Sequence, residues 1–108
     1  MRMESDLKRS VRSIMELRSQ LDPKIKIEPD YCTPSGQLID FLDVRPGRKP
    51  KVNLCMEEAT LDKQHIDKAQ RCLLEIGAAG VEIFIPLRTI VTDAAREVLS
   101  EQVHIRLV

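Results

Sequence analysis

The chain has 108 residues, the size of one domain, and its 17 basic and 17 acidic side chains cancel. A formal net charge of zero excludes a global field that would draw the protein to nucleic acid or membranes, so any such attraction must be local. No segment approaches the roughly 18 apolar residues of a membrane span, and the polar N-terminus is unlike a secretory signal. We therefore expect a single cytoplasmic domain over residues 1–108.

The cysteines and the aromatic residues narrow the kinds of site further. An odd number of widely spaced cysteines argues against a disulfide framework, and no close pair of Cys or His indicates a zinc site. We expect reduced thiols at Cys32, Cys55 and Cys72. Aromatic residues make up 3% of the chain, which weakens any binding mode in which bases stack on exposed rings.

The first predicted element is a helix that Ser5 can cap and Pro23 ends. Its apolar stripe has helical spacing and consists of Leu7, Val11, Ile14 and Leu21. Alternating polar and apolar residues then predict a short strand over residues 24–28. The following segment, residues 29–36, is rich in turn-forming residues and is expected to be a turn.

Two further strands are predicted on either side of a chain reversal. Residues 37–44 and 51–56 are both largely apolar, and the strong breaker Pro46-Gly47 lies between them. Because the connection is short, we expect these two strands to form an antiparallel hairpin.

A second helix and a buried strand follow the hairpin. The helix starts near residues 60–62 and ends at Gly77, because glycine is favoured at helix C-termini. Its apolar face consists of Ile66, Ala69, Leu73 and Ile76. Residues 81–85 form the most apolar strand, which we expect inside the sheet.

The chain ends with a third helix and a last strand. Thr92 caps that helix, and residues 103–108 form the strand. The residues of the helix that should face the core are Ala94, Ala95, Val98 and Leu99. The predicted order α-β-β-β-α-β-α-β is an α/β fold with a mixed central sheet flanked by helices.

Acidic residues interrupt the apolar strands of the predicted hairpin. Asp40 lies within the second strand, and Glu57 and Glu58 follow the third. A carboxylate on a buried strand is costly unless it is paired or bound to a cation. If the two strands are adjacent, Asp40 and Glu57 converge at one end of the hairpin. Two converging carboxylates suit Mg²⁺, which is usually held by one or two carboxylates and phosphate oxygens.

Four pieces of the sequence carry a family resemblance. They are residues 36–40 (GQLID), residues 55–57 (CME), Gln70 and residues 91–99 (VTDAAREVL). Their order is similar to that in the PD-(D/E)xK nucleases, especially the RecB-like endonucleases related to archaeal mismatch-cleaving enzymes. In that family a Gly-x-Ile-Asp strand precedes a hairpin and an apolar strand that ends Glu-x-Lys. The resemblance covers residues 36–108 well and the first helix loosely, where Glu4 would match the family's helix-borne acid.

The resemblance implies a restriction-endonuclease-like domain that hydrolyses DNA phosphodiesters with a metal ion. Asp40 and Glu57 would bind Mg²⁺, which lowers the pKa of a bound water and stabilises charge on the scissile phosphate. Gln70 would be a supporting polar contact.

The lysine of Glu-x-Lys is missing from this chain. Residues i and i+2 of a strand share a face, but the residue two after Glu57 is Ala59. The resemblance permits a lysine relocated to the second helix, so Lys68, or Lys63, would orient the attacking water.

The turn of the hairpin is basic, with four cations and no acid among them. They are Arg45, Arg48, Lys49 and Lys51. These side chains are either a solvated edge or a contact for DNA phosphates. With zero net charge, we expect weak binding by the isolated domain, and a protein partner or a homodimer would add surface.

Three functions remain open from the sequence. The first is an active metal-dependent nuclease. The second is a catalytically inactive nuclease-fold module for nucleic-acid or protein assembly, which the missing Glu-x-Lys and the zero net charge favour. The third is an unrelated α/β protein that binds a small molecule or a partner. Placement of Asp40, Glu57 and a helix lysine in one site would support the first.

Overall fold

The structure is a computed structural model that describes residues 4–108. Its helices are α1 (Asp6–Leu21), α2 (Lys63–Ile76) and α3 (Asp93–Glu97). Its strands are β1 (Lys26–Cys32), β2 (Leu38–Val44), β3 (Lys51–Cys55), β4 (Thr60–Leu61), β5 (Gly80–Ile85), β6 (Ile90–Val91) and β7 (Val103–Leu107). The predicted α/β class is confirmed, and within residues 4–108 no helix is both long and apolar enough to cross a membrane.

The centre of the fold is a five-stranded mixed sheet with the strand order β1-β2-β3-β5-β7. β1, β2 and β3 pair antiparallel, and β5 and β7 join them in parallel. The predicted hairpin of β2 and β3 is confirmed, with Asp43 opposite Lys51 and a φ of 72° at Gly47 in the connecting turn. Glycine adopts that backbone conformation without the penalty that a Cβ brings.

Helix α1 covers one face of the sheet, which we call the α1 face. The Ser5 hydroxyl accepts a hydrogen bond from the Lys8 backbone N–H, so the helix begins as the sequence predicts. The helix buries Leu7, Val11 and Met15 against Phe41 of β2 and Phe84 of β5.

Helix α2 covers the opposite face, which we call the α2 face. Asp62 and His65 form a reciprocal capping box at its start, and Gly77 ends it with a φ of 64°. Its buried side chains, Ile66, Ala69, Cys72 and Leu73, share one cluster with Val52, Leu54, Ile83 and Ile85 of the central strands. The two helices therefore bury two separate sets of strand residues.

The prediction for the first strand and the following turn was wrong in its bounds. β1 extends to Cys32, so Pro29 lies in the strand rather than in a turn. Proline lacks the N–H that a central strand must donate, but β1 is an edge strand, where that loss is tolerated. The predicted α3 is also shorter than expected, and Leu99, assigned to its core face, is 36% exposed. The two-residue strands β4 and β6 were not predicted.

Strand β2 changes the direction of its side chains at Asp40. Ile39 packs in the cluster of the α2 face and Phe41 in that of the α1 face, although residues two apart in a regular strand share a face. The partner strand is irregular at the same level, because Asp30 has a φ of 53° and interrupts the pairing of β1 with β2. As a result, Asp40 and Phe41 both meet Lys8 of α1.

Two leucines provide a test of this packing. Leu54 of β3 is 3% exposed in the α2-face cluster, whereas Leu74 of α2 is 77% exposed. We expect Leu54→Ala to lower the free energy of unfolding by about 2–5 kcal/mol, because it removes buried methyl groups and leaves a cavity. Leu74→Ala should change it by no more than about 0.5 kcal/mol. Urea titration followed by circular dichroism measures both, and equal losses would contradict the assigned faces.

Candidate functional site

Asp40 is the best-placed of the predicted site residues. Its Oδ2 accepts a hydrogen bond of 2.7 Å from the Cys55 backbone N–H, which ties β2 to the end of β3. Its Oδ1 lies 3.5 Å from the Lys8 ammonium, and the side chain is 18% exposed. The half-buried carboxylate is therefore held by a backbone donor and neutralised by a lysine from α1.

Lys8 joins two carboxylates on the α1 face. Its ammonium contacts both Asp30 and Asp40 and lies 5.8 Å from the centroid of the Phe41 ring. Burial lowers the pKa of Lys8, but the hydrogen bond to Asp30 and the charge of Asp40 outweigh burial, so the pKa is raised above its ordinary value. Lys8 therefore stays charged throughout the physiological range.

Glu4, which would match the family's helix-borne acid, is paired within the helix region. Its Oε1 accepts a 2.8 Å hydrogen bond from Nε of Arg12, and the pKa of Glu4 is lowered mainly by that bond. The Arg12 guanidinium also lies 5.1 Å from the centroid of the Phe41 ring. Phe41 thus has two cations on its surface, each shared with an acid.

Glu57 follows β3 in the chain, and its side chain contacts the first turn of α1. Its Oε1 accepts a 3.2 Å hydrogen bond from the Leu7 backbone N–H, one of the N–H groups left free at a helix N-terminus. It lines an open cleft of about 430 Å³ together with Ser5, Ser10 and Arg88. In this arrangement Glu57 stabilises the first turn of α1.

The strand positions beside Asp40 are occupied by Asn53 and Cys55. The hairpin register places Asn53 opposite Phe41, and Cys55 packs in the cluster of the α1 face. These residues are i and i+2 of β3, the relation that the family's Glu and Lys have. The α1 face of β3 thus presents Asn-x-Cys beside Asp40, whereas the resemblance assigns the motif glutamate to Glu57, two residues after Cys55.

The sequence contained the information needed to find this pair. A hairpin centred on Gly47 places residue 43 opposite 51, and therefore residue 40 at the level of 54. The assignment of the motif acid to Glu57 assumed instead that β3 runs to residue 56 with Glu57 at its end. β3 ends at Cys55, and Glu57 lies outside the strand.

Cys55 is a poor nucleophile and a poor metal ligand. Burial raises the pKa of its thiol to about 12, and the charges of Asp40 and Glu57 act in the same direction. Lys8 opposes the shift without cancelling it. Because the thiolate is the reactive and metal-binding form, the thiol is inert near neutral pH.

The lysines proposed to replace the missing one lie elsewhere. Lys63 and Lys68 are exposed on α2, which covers the face opposite Asp40. Gln70, proposed as a supporting contact, donates a 3.0 Å hydrogen bond to the Val98 carbonyl and so links α2 to the end of α3. The structure does not bring these three side chains to Asp40.

The Asp40 carboxylate is engaged by protein groups rather than open to a Mg²⁺ ion. Over residues 4–108, no three His, Cys, Asp or Glu side chains are grouped so that they could hold a metal. Both oxygens of Asp40 face positive partners already, the Cys55 N–H and the Lys8 ammonium. The Lys8 ammonium supplies the positive charge that a metal would supply.

The basic turn lies at the other end of β3. Cys55 is four positions after Lys51, which is roughly 13 Å at the rise of an extended strand. The four cations of the turn line a pocket of about 140 Å³ together with Asp43 and Ala79. Arg45 pairs with Asp22 at 3.5 Å, whereas Arg48, Lys49 and Lys51 form no ion pair within the described part of the chain.

No protein-family model and no curated protein matches the chain. A repair endonuclease from Pyrococcus abyssi has a similar structure, with a TM-score of 0.64 and 16% identity over 100% of this chain and 49% of that one. A protein of unknown function matches with a TM-score of 0.65 and 13% identity over 94% of this chain and 58% of that one. The chain spans about half the length of these proteins and shares the nuclease-like fold with the endonuclease.

The cysteines provide a test of the site's electrostatics. Cys32 is exposed, whereas Cys55 is half-buried beside Asp40 and Cys72 is buried. We expect iodoacetamide at pH 8 to alkylate Cys32 in the folded protein and to spare Cys55 and Cys72, because the thiolate is the reactive form. Mass spectrometry of tryptic peptides measures each rate, and in urea all three should react alike. Alkylation of Cys55 as fast as Cys32 in native buffer would contradict the raised pKa.

Proposed function

We propose that this chain is a nuclease-fold module that binds nucleic acid through its basic turn and does not cut it. The observation that carries the proposal is the pair Asn53 and Cys55, a neutral amide and a thiol on the strand beside Asp40. Lys8 strengthens it, because its ammonium neutralises Asp40.

Hydrolysis of a phosphodiester needs particular side chains near Asp40. Metal-assisted cleavage needs acids that hold the ion and a group that orients the attacking water. Here β3 offers a neutral amide at Asn53 and, at Cys55, a thiol whose pKa is raised to about 12. The protonated thiol is a poor metal ligand at neutral pH, and neither side chain takes a proton from water.

Binding through the basic turn follows from local charge. Arg48, Lys49 and Lys51 form no ion pair within residues 4–108, so their charge is available to an external anion. Phosphate contacts of this kind supply most sequence-independent affinity for DNA. Because the chain is poor in aromatic residues, we favour the duplex backbone over stacked single strands.

The second candidate is the metal-dependent endonuclease, with Asp40 and Glu57 as metal ligands and Lys68 or Lys63 beside them. Its support is that Asp40 and Glu57 are both near enough to Cys55 to raise the pKa of the thiol. The likeness to a repair endonuclease also favours it over an unrelated α/β protein. It requires Lys8 to leave Asp40 and a lysine to cross from the opposite face.

Replacement of the cations in the turn tests binding. We expect the variant R48A/K49A/K51A to weaken binding of duplex DNA, because it removes side chains that neutralise phosphates. The slope of log K against log salt should become shallower by about 0.9 for each phosphate that the variant no longer neutralises. Fluorescence anisotropy over a salt series measures both quantities. The matched control is K63A/K68A/R71A, which removes three exposed cations from α2 and should bind like the wild type.

Complete absence of salt-dependent binding at low ionic strength would refute the nucleic-acid proposal and leave a protein-interaction module. Equal weakening by both triple variants would show that total charge, rather than the turn, controls binding.

A nuclease assay separates the two candidates. With millimolar Mg²⁺ or Mn²⁺ we expect the wild type to leave supercoiled plasmid intact, because β3 lacks the acid and the lysine. Asp40→Asn and Glu57→Gln are the matched variants. Nicking by the wild type that either variant abolishes would establish the second candidate, whereas nicking that survives both would indicate a contaminant.

A further inference from the structure

The pocket of the basic turn contains one acid, Asp43, which the sequence did not assign to any site. The pocket has a volume of about 140 Å³, and Asp43 forms part of its wall. Asp43 is 4% exposed and lies opposite Lys51 in the hairpin register. A nearly buried carboxylate thus lies among four cations.

The Asp43 carboxylate is short of a hydrogen-bond donor. Its Oδ1 has no partner within residues 4–108. Burial raises the pKa of Asp43, and the charges of Arg45, Arg18 and Lys51 oppose the shift without cancelling it. The other buried acceptor without a partner is Asn53 Oδ1, and an oxygen of that kind cannot donate. Asp43 forms part of the pocket wall, so a ligand there would meet this carboxylate, whereas the protein interior supplies no donor to Oδ1.

The size and charge of the pocket limit what could enter. Ligand pockets for whole small molecules are usually about 300–1,000 Å³, so this pocket suits a single group rather than a nucleotide. Four cations require that group to be an anion with several oxygens. The acid requires that one of its oxygens also carry a hydrogen.

We propose that this pocket binds a terminal phosphate monoester of a nucleic-acid strand, with the cations on the phosphate oxygens and Asp43 accepting a hydrogen bond from the phosphate O–H. Inorganic phosphate always carries an O–H near neutral pH, and a monoester, whose second pKa is about 6, carries one part of the time. A backbone phosphodiester and sulfate carry none, so inside the pocket each would meet the Asp43 carboxylate as an unpaired like charge. The exposed side chains of Arg48, Lys49 and Lys51 can contact backbone phosphodiesters outside it. The claim that the phosphate belongs to a nucleic-acid strand rests on the proposed function. The claim that the pocket prefers a protonated phosphate does not.

Inorganic phosphate and sodium sulfate are the first probes, compared by calorimetry at pH 7 and equal ionic strength. We expect phosphate to bind the wild-type chain about tenfold or more tightly than sulfate, the effect of one hydrogen bond to a charged acceptor. Asp43→Asn should bring the two affinities together, because an amide can donate to either anion. Lys49→Ala should weaken both. The matched control, Asp67→Asn on α2, makes the same charge change and should leave the preference intact.

Equal binding of phosphate and sulfate by the wild type would overturn the proposal, even if Asp43→Asn failed to fold. A folded Asp43→Asn protein that kept the preference would overturn it too. Loss of the preference in Asp43→Asn alone supports it.

To test whether the phosphate belongs to a nucleic-acid strand, one duplex is prepared with and without 5′-phosphates and its binding is compared. Tighter binding of the phosphorylated duplex, abolished by Asp43→Asn, supports the terminal monoester. Equal, salt-dependent binding of both duplexes would overturn this inference and leave the proposed function standing. Failure of both duplexes to bind would overturn the proposed function, and a preference for phosphate over sulfate would then assign the pocket to free phosphate or a small monoester.

Discussion

The arrangement of the α1 face depends on one ammonium group. Lys8 contacts Asp30 of β1 and Asp40 of β2, and its charge lies over the Phe41 ring. Without that cation, the half-buried carboxylate of Asp40, which is 18% exposed, would lose its charged partner and lie near the more exposed carboxylate of Asp30. The irregular backbone at Asp30 and the change of side-chain direction at Asp40 turn both acids toward this cation. Helix, edge strand and hairpin therefore meet at this electrostatic contact, beside the apolar cluster that α1 buries.

The sequence predicted best where the determinants are local. Ser5, Gly77 and Thr92 mark helix ends because capping depends on a few neighbouring residues, and all three act as expected. The hairpin around Gly47 was readable for the same reason. What failed was non-local. Pro29 continues a strand only because that strand is at the sheet edge, which the sequence does not reveal.

Asp40 could be predicted from the sequence, whereas the contacts around it are non-local. Asp40 was identified because a carboxylate in an apolar strand needs a partner, and the structure provides Lys8 and the Cys55 N–H. A metal ion was predicted as the partner of Asp40 because strand periodicity does not show which helix residues contact the sheet. Lys68 was a reasonable substitute only if α2 lay on the face of Asp40, and α2 covers the opposite face. Which face a helix covers is decided by the whole packing arrangement.

The neutral side chain at Asn53 is consistent with the cation at Lys8. Asn53 is 1% exposed, and its amide donates a 3.2 Å hydrogen bond to the Phe41 carbonyl. A glutamate there would be a desolvated charge on a face that already holds Asp43 and Glu82, and Lys8 is already shared between two acids. A metal ion would compensate a third carboxylate, but it would have to displace the ammonium. Around Asp40, this chain therefore combines a lysine from α1 with a neutral side chain on β3.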